Sequence, residues 1–239
     1  MNLLAIECTH AVLSVAVQTA EAIIERTSAE WRNTAERILP LIDNTISDAN
    51  LPASALDAIV LSAGPGSFTA LRIGMSTAKG LCFALEKPLI SIPTLNALGR
   101  SALEHSTAEI IVPLVHSKAD EFYYAIGHRE AWNRDEFRDI ENGYGTLGEL
   151  LLLLKAQKCT AILAGRGISA WQDEIEKTGN ELVTVSEASY FNADALLKLA
   201  VPKFSAGQFE DLASTEPLYL KHFEAKLPKK QPYLKKSFE

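Results

Sequence analysis

The stretch 58–85 constrains the fold more than any other part of the sequence. Ala58-Ile59-Val60-Leu61 is a short apolar run containing β-branched residues, the pattern of a strand buried on both faces. Ser62-Ala63-Gly64-Pro65-Gly66-Ser67 follows, then a long run whose only helix breakers are Gly74 and Gly80. The order is strand, glycine turn, helix. Gly64 and Gly66 permit a tight turn, Pro65 stiffens it, and Ser67 stands where it would cap a helix opening at about Phe68. The first amides of such a helix face outward, towards an anion or a partner's acceptor groups. The turn has neither the Lys-Ser or Lys-Thr pair of a Walker loop nor the third glycine of a dinucleotide fingerprint. A plain capped βα turn therefore stands beside the anion-binding reading.

The helix itself has two apolar stripes at helical spacing. Leu71, Met75, Ala78, Cys82 and Leu85 form one; Ala70, Ile73, Gly74, Thr77, Leu81 and Ala84 form the other, with Arg72 and Lys79 as the polar edge. One stripe can cover the helix's own sheet. The second, lined with small residues, requires another helix close by, from this chain or from a partner.

With 239 residues and 47% hydrophobic content, the chain can bury a substantial core and divide into two small domains. Its net charge of -7 argues against general electrostatic attraction to nucleic acid. The charge is unevenly spread, because the last nineteen residues carry six lysines against Glu224 and Glu239. Cys8, Cys82 and Cys159 are too few and too scattered for a disulfide framework, which suggests buried free thiols in a reducing compartment. There is no signal-like start and no apolar run long enough for a bilayer, so a cytoplasmic location with no membrane contact is expected.

Along the chain, strands at 3–6, 11–17 and 22–24 precede a helix at 34–49 with Ala35, Ile38, Leu39, Ile42 and Ile46 on one face. The strand at 58–61, its helix, a strand at 88–92 and a helix from Thr94 complete the first half. The second half repeats that order: strands at 110–115, 122–126 and about 132–140, a helix at 146–157, a strand at 160–163, a helix from about Ser169, a strand at 182–185 and a helix from Ala193. Two copies of βββαβαβα imply a duplicated α/β fold with mixed sheets. The expected division is 1–107, 108–222, and a basic flexible tail at 223–239.

No chemistry-bearing constellation is complete. Ser67 lacks the Gly-x-Ser-x-Gly setting of a nucleophile elbow. His10, His105, His116, His128 and His222 include no pair at i, i+3 or i, i+4, so no metal site and no catalytic residue is expected.

Gly64-Pro65-Gly66-Ser67-Phe68-Thr69 with Leu71-Arg72-Ile73-Gly74 resembles the signature of the TsaB (YeaZ) family. Arg37-Ile38-Leu39-Pro40, Glu121-Phe122-Tyr123-Tyr124-Ala125 and Glu216-Pro217-Leu218-Tyr219-Leu220 agree, so the resemblance covers nearly the whole chain. It implies the fold of actin, sugar kinases and Hsp70. It also implies an accessory, non-catalytic role in tRNA threonylcarbamoyladenosine modification beside the anticodon. The implied partners are a TsaD-like catalytic subunit, a TsaE-like ATPase, a second copy of the chain when TsaD is absent, and tRNA indirectly through the complex. The implied partner-binding residues are Arg37, Leu41, Ser67, Phe68, Ala70, Arg72, Ile73, Gly74 and Thr77.

In that fold, hairpins opening each half touch nucleotide phosphates. Glu7-Cys8-Thr9 stands where the family usually has Asp followed by Thr or Ser, and His116-Ser117-Lys118 where it usually reads Asp-Ala-Arg. Both departures argue against ATP turnover by this chain alone, leaving at most a degenerate site for weak ATP or ADP binding and no required cofactor. The first helix also lacks the metal-binding histidine pair of TsaD. Two enzyme classes stand as alternatives: a small ATPase or phosphotransferase of the same fold, and a glycopeptidase-like hydrolase.

Overall fold

The computed structural model describes residues 1–9, 12–29, 33–134, 137 and 139–220. The basic stretch expected at 223–239 lies outside the described residues, as do His10 and His222.

Among the described residues ten strands build two five-stranded sheets. In the first, β1 (Leu3–Glu7), β2 (Leu13–Gln18) and β3 (Ile23–Ser28) form an antiparallel meander, and β4 (Ala58–Gly64) and β5 (Leu89–Pro93) add in parallel, giving the order β3-β2-β1-β4-β5. In the second, β6 (Ile110–Lys118), β7 (Glu121–His128) and β8 (Glu141–Thr146) are the meander, and β9 (Ala161–Gly165) and β10 (Val183–Glu187) the parallel additions, giving β10-β9-β6-β7-β8. Both sheets follow the same path. This is the duplication expected from the order of elements, with mixed sheets as predicted.

Strand periodicity divides the core. Leu4 and Ile6 of β1 point into a cluster with Ile38 and Ile42 of α1 (Thr34–Asp48) and Met75, Ala78 and Cys82 of α2 (Phe68–Leu85). Leu3 and Ala5 point the other way, into a cluster with Ala97 and Leu98 of α3 (Thr94–Ala102) and Leu196, Leu197 and Ala200 of α7 (Asp194–Ser205). On the second sheet, Ile111, Val115 and Ile162 pack against Leu95 and Ala102 of α3 and against Trp132, the last residue of the short α4 (Arg129–Trp132). Its opposite face packs on Leu147, Leu150, Leu151 and Leu154 of α5 (Leu147–Gln157) and on Ile175 of α6 (Gln172–Lys177). The layers run helix, sheet, helix, sheet, helix. α7 comes from the second half yet covers the first sheet, while α3 comes from the first half and packs on the second.

Two local expectations change. The third strand of the second meander, expected near 132–140, runs at Glu141–Thr146. The sequence of β8, Glu-Asn-Gly-Tyr-Gly-Thr, lacks an apolar run because its glycines serve a neighbour: a Cβ on Gly143 would fall 2.3 Å from the Tyr124 ring. The helix expected from Ser169 opens as a 3₁₀ turn over Ile168–Trp171 before α6. No helix among the described residues is long and apolar enough to cross a membrane.

Candidate partner surface and interdomain cleft

The glycine turn between β4 and α2 is closed by the first hairpin. A Cβ on Gly66 would lie 2.5 Å from Thr9 Cβ, and the Ser67 amide donates to the Thr9 carbonyl at 3.0 Å. Gly64 has φ +110, a conformation that suits glycine, and its peptide bond to Pro65 is cis. Ser67 occupies the N-cap position as expected, but its side chain makes no capping hydrogen bond. Its backbone does the work there, because its carbonyl accepts from Leu71 N at 2.8 Å.

The hairpin residues are spent on one another. Glu7 is 2% exposed, and its Oε1 accepts from the Thr9 amide at 2.7 Å and from the Thr9 hydroxyl. Cys8 points away from the cleft. Its Sγ donates to the Ala70 carbonyl at 3.4 Å, and a Cβ on Gly74 would fall 2.6 Å from that sulfur. Burial, reinforced by the Glu7 charge, pushes the thiol far above its ordinary value, so it stays protonated. In the second hairpin His116 Nε2 meets the Ala119 carbonyl at 2.8 Å, its ring packs on Phe122 and Trp171, and Lys118 pairs with Glu121 at 3.6 Å on the surface. Cys8 is therefore removed from the residues expected to face a nucleotide: its thiol is the packing partner of α2.

Between the halves stands a polar network that sequence reasoning missed. Arg166, half-buried after β9, donates to the Phe191 carbonyl, to Asn192 Oδ1 at 2.6 Å and more weakly to the Ser189 carbonyl. Burial lowers its pKa, while the charges of Glu7, Glu187 and Glu25 oppose the shift. Glu187 accepts from the amides of Gly167 (2.6 Å) and Ser169 (3.4 Å) and from the Ser169 hydroxyl (3.0 Å). Its carboxylate thus fills the amide nest of the turn after β9. On the other side, Glu25 of β3 accepts from the Asp194 amide at 3.0 Å, and Ser14 Oγ accepts from the Ala193 amide at 2.9 Å, so the first sheet caps α7. Among the described residues no group of three His, Cys, Asp or Glu side chains could hold a metal ion.

The outer face of α1 and α2 differs in kind. Leu71, Met75, Ala78 and Cys82 are buried on the first sheet as expected. The second stripe splits: Ala70 and Gly74 are buried, while Ile73 and Leu81 pack half-covered with Leu41 and Ile46 of α1. Ala70 and Gly74 are thus corrected from partner-facing to inward-facing residues, since the close approach of Cys8 draws that part of the stripe into the core. Arg37, Ser67, Phe68 and Arg72 are exposed, and Leu41, Ile73 and Thr77 are half-covered on the same side. Leu39, expected on the apolar face of α1, is instead 55% exposed, and Phe83 of α2, not singled out from sequence, is 84% exposed. At the N-terminal end of α2 the Arg72 guanidinium lies 3.9 Å over the Phe68 ring, and Tyr219 packs beside it with ring centroids 5.5 Å apart.

The family model described as TsaD: tRNA N6-adenosine threonylcarbamoyltransferase matches residues 23–226. A tRNA threonylcarbamoyladenosine biosynthesis protein TsaB of Haemophilus influenzae is 28% identical over 227 residues, covering 93% of this chain and 94% of that protein. The protein of the same name from Escherichia coli is 26% identical over 238 residues, covering 97% and 100%. A solved Pseudomonas aeruginosa structure, described as an uncharacterized protein with similarity to peptidase YEAZ, superposes with a TM-score of 0.76 at 23% identity over 92% of this chain and 99% of that one. With a family model spanning most of its length and full-length relatives of a single name, the chain belongs to the threonylcarbamoyltransferase-type family, in its TsaB (YeaZ) line.

Proposed function

We propose that this chain is an accessory subunit in threonylcarbamoyladenosine modification of tRNA, working in the cytoplasm by docking a TsaD-like catalytic subunit on the outer face of α1 and α2. The observation that carries this reading is the contrast between the two surfaces. At the two hairpins and the turn after β9, Glu7, His116, Arg166 and Glu187 bond to neighbours within the chain. On the helices, Leu39, Phe68 and Phe83 stand in solvent, and Leu41, Ile73 and Thr77 are half-covered. Aromatic, aliphatic and arginine side chains around a flat helical centre are what a protein interface uses. The same face serves a second copy of the chain when the catalytic subunit is absent, and a TsaE-like ATPase joins as a third component. Full-length similarity to proteins named for tRNA threonylcarbamoyladenosine biosynthesis supports the pathway.

The test is co-sedimentation of the chain with its cognate TsaD-like protein. Ile73→Glu places a charge on the half-covered stripe, and Ser76→Arg places a bulky one on an exposed position of α2. Both should weaken association at least tenfold, with Ser76→Arg leaving the unfolding midpoint unchanged. Unaltered association of the Ser76→Arg protein, together with micromolar ATP binding and turnover by the isolated chain in calorimetry, would favour an ATPase of this fold instead.

A further inference from the structure

α5 carries five consecutive leucines at positions 150–154, so it is apolar on more sides than one sheet can cover. Leu147, Leu150, Leu151 and Leu154 are spent on the second sheet. Leu152 and Leu153 are 71% and 50% exposed. Gly148 and Ala156, one turn before and one turn after Leu152, are exposed as well, and a Cβ on Gly148 would meet nothing within 4 Å. That glycine serves no packing contact within the chain, although glycine weakens a helix. A leucine set between two small residues forms a ridge that another helix can approach closely.

The order of residues on this face says what approaches it. Counted outward from Leu152, the third residue is Glu149 on one side and Lys155 on the other, and the fourth is Gly148 on one side and Ala156 on the other. A helix laid antiparallel about a two-fold axis at Leu152 brings each residue level with the one equally far beyond Leu152 in its mate. Glu149 of each copy then lies level with Lys155 of the other, and Gly148 with Ala156, so that within α5 no like charges meet. The acid is fixed before any partner arrives: Glu149 Oε2 accepts from the Thr146 amide at 2.9 Å and from its hydroxyl at 3.0 Å in the capping box.

We infer that α5 is a self-association face, on which two copies of the chain pair antiparallel with Leu152 and Leu153 at the centre and Glu149 and Lys155 at the rim. The eleven-residue helix is only ~16 Å long, a small contact by the standard of permanent dimers, so the pairing is reversible and set by concentration. α5 covers the outer face of the second sheet, whereas α1 and α2 cover the outer face of the first. A dimer built on α5 leaves both α1–α2 faces open, and it does not depend on the function proposed above.

The test is sedimentation equilibrium of the full chain carrying Ser76→Arg, which silences pairing through α1 and α2, at about 1 to 300 μM. Reversible dimerisation should remain. Adding Leu152→Glu should weaken it at least about tenfold. Adding Lys155→Glu, which sets acid level with acid, should weaken it at least about threefold, and less at high salt. Both positions are exposed, so the unfolding midpoints should stay at the parent value. A Ser76→Arg protein that is monomeric throughout, dimerisation that Leu152→Glu leaves unchanged, or Lys155→Glu without effect overturns the inference. So does a Leu152→Glu protein that self-associates normally but no longer co-sediments with the TsaD-like protein, which would assign the leucines to the catalytic subunit. Ser76→Arg tests the docking reading and Leu152→Glu the α5 pairing, so the two can fail separately.

Discussion

Replacing Gly74 with alanine would place a methyl carbon 2.6 Å from the Cys8 sulfur and 3.2 Å from Leu61 Cδ1, well inside contact distance. Relieving such overpacking in a tight core costs about 1–3 kcal/mol, while alanine gains about 1 kcal/mol over glycine within a helix. The single change should therefore destabilise by roughly 0–2 kcal/mol. Cys8→Ala alone loses a buried sulfur and its hydrogen bond to the Ala70 carbonyl, about 1–2 kcal/mol. Combined, the new methyl group occupies the space the sulfur left, the clash disappears and the helical gain remains. The double variant should be about 1–3 kcal/mol more stable than the sum of the singles. Urea unfolding of the four proteins, followed by circular dichroism, measures this coupling. If the two changes add to within about 0.5 kcal/mol, the packing of the first hairpin against α2 is not as described, and Cys8 has some other role.

Glu25 offers a pH test. Burial raises its carboxyl above 4.5, the Asp194 charge adding to the shift and the Asp194 and Ala193 amides with Asn192 opposing it. Because the folded value lies above the unfolded one, its stabilising contribution is full at low pH and is lost as pH rises through the raised value. Thermal unfolding between about pH 4 and 7 should show the wild type losing ground relative to Glu25→Gln as pH increases; parallel profiles would contradict this. Arg166→Met removes the donor that holds the Phe191 carbonyl and Asn192, leaving half-buried acceptors unmatched at a cost of about 1–3 kcal/mol. A midpoint indistinguishable from wild type in urea would show that the network contributes little to the joint between the sheets.

The sequence made the repeated architecture legible because its strands are short apolar runs and its helices keep their spacing over many residues. The strand at 58–61, the opening of α2 at Phe68 and the helix at 146–157 have local signals and stand close to where those signals place them. β8 had none, since Gly143 is there for the Tyr124 ring rather than for strand propensity. The candidate site was legible in part. Helical spacing identified the stripe of Ile73 and Thr77, but spacing alone cannot tell that Cys8, more than sixty residues away, draws Ala70 and Gly74 inward. Arg166 and Glu187 gave still less warning. Each is one charged residue at the end of a strand, and its partners become visible only when the second sheet brings β9 and β10 side by side.

The crossing of α3 and α7 between the sheets ties the two halves of the chain together. Each half contributes a helix to the packing of the other, so that Phe191 and Leu98 share one core with the first sheet. The two sheets therefore share one core through α3 and α7, while α1 and α2 cover the other face of the first sheet.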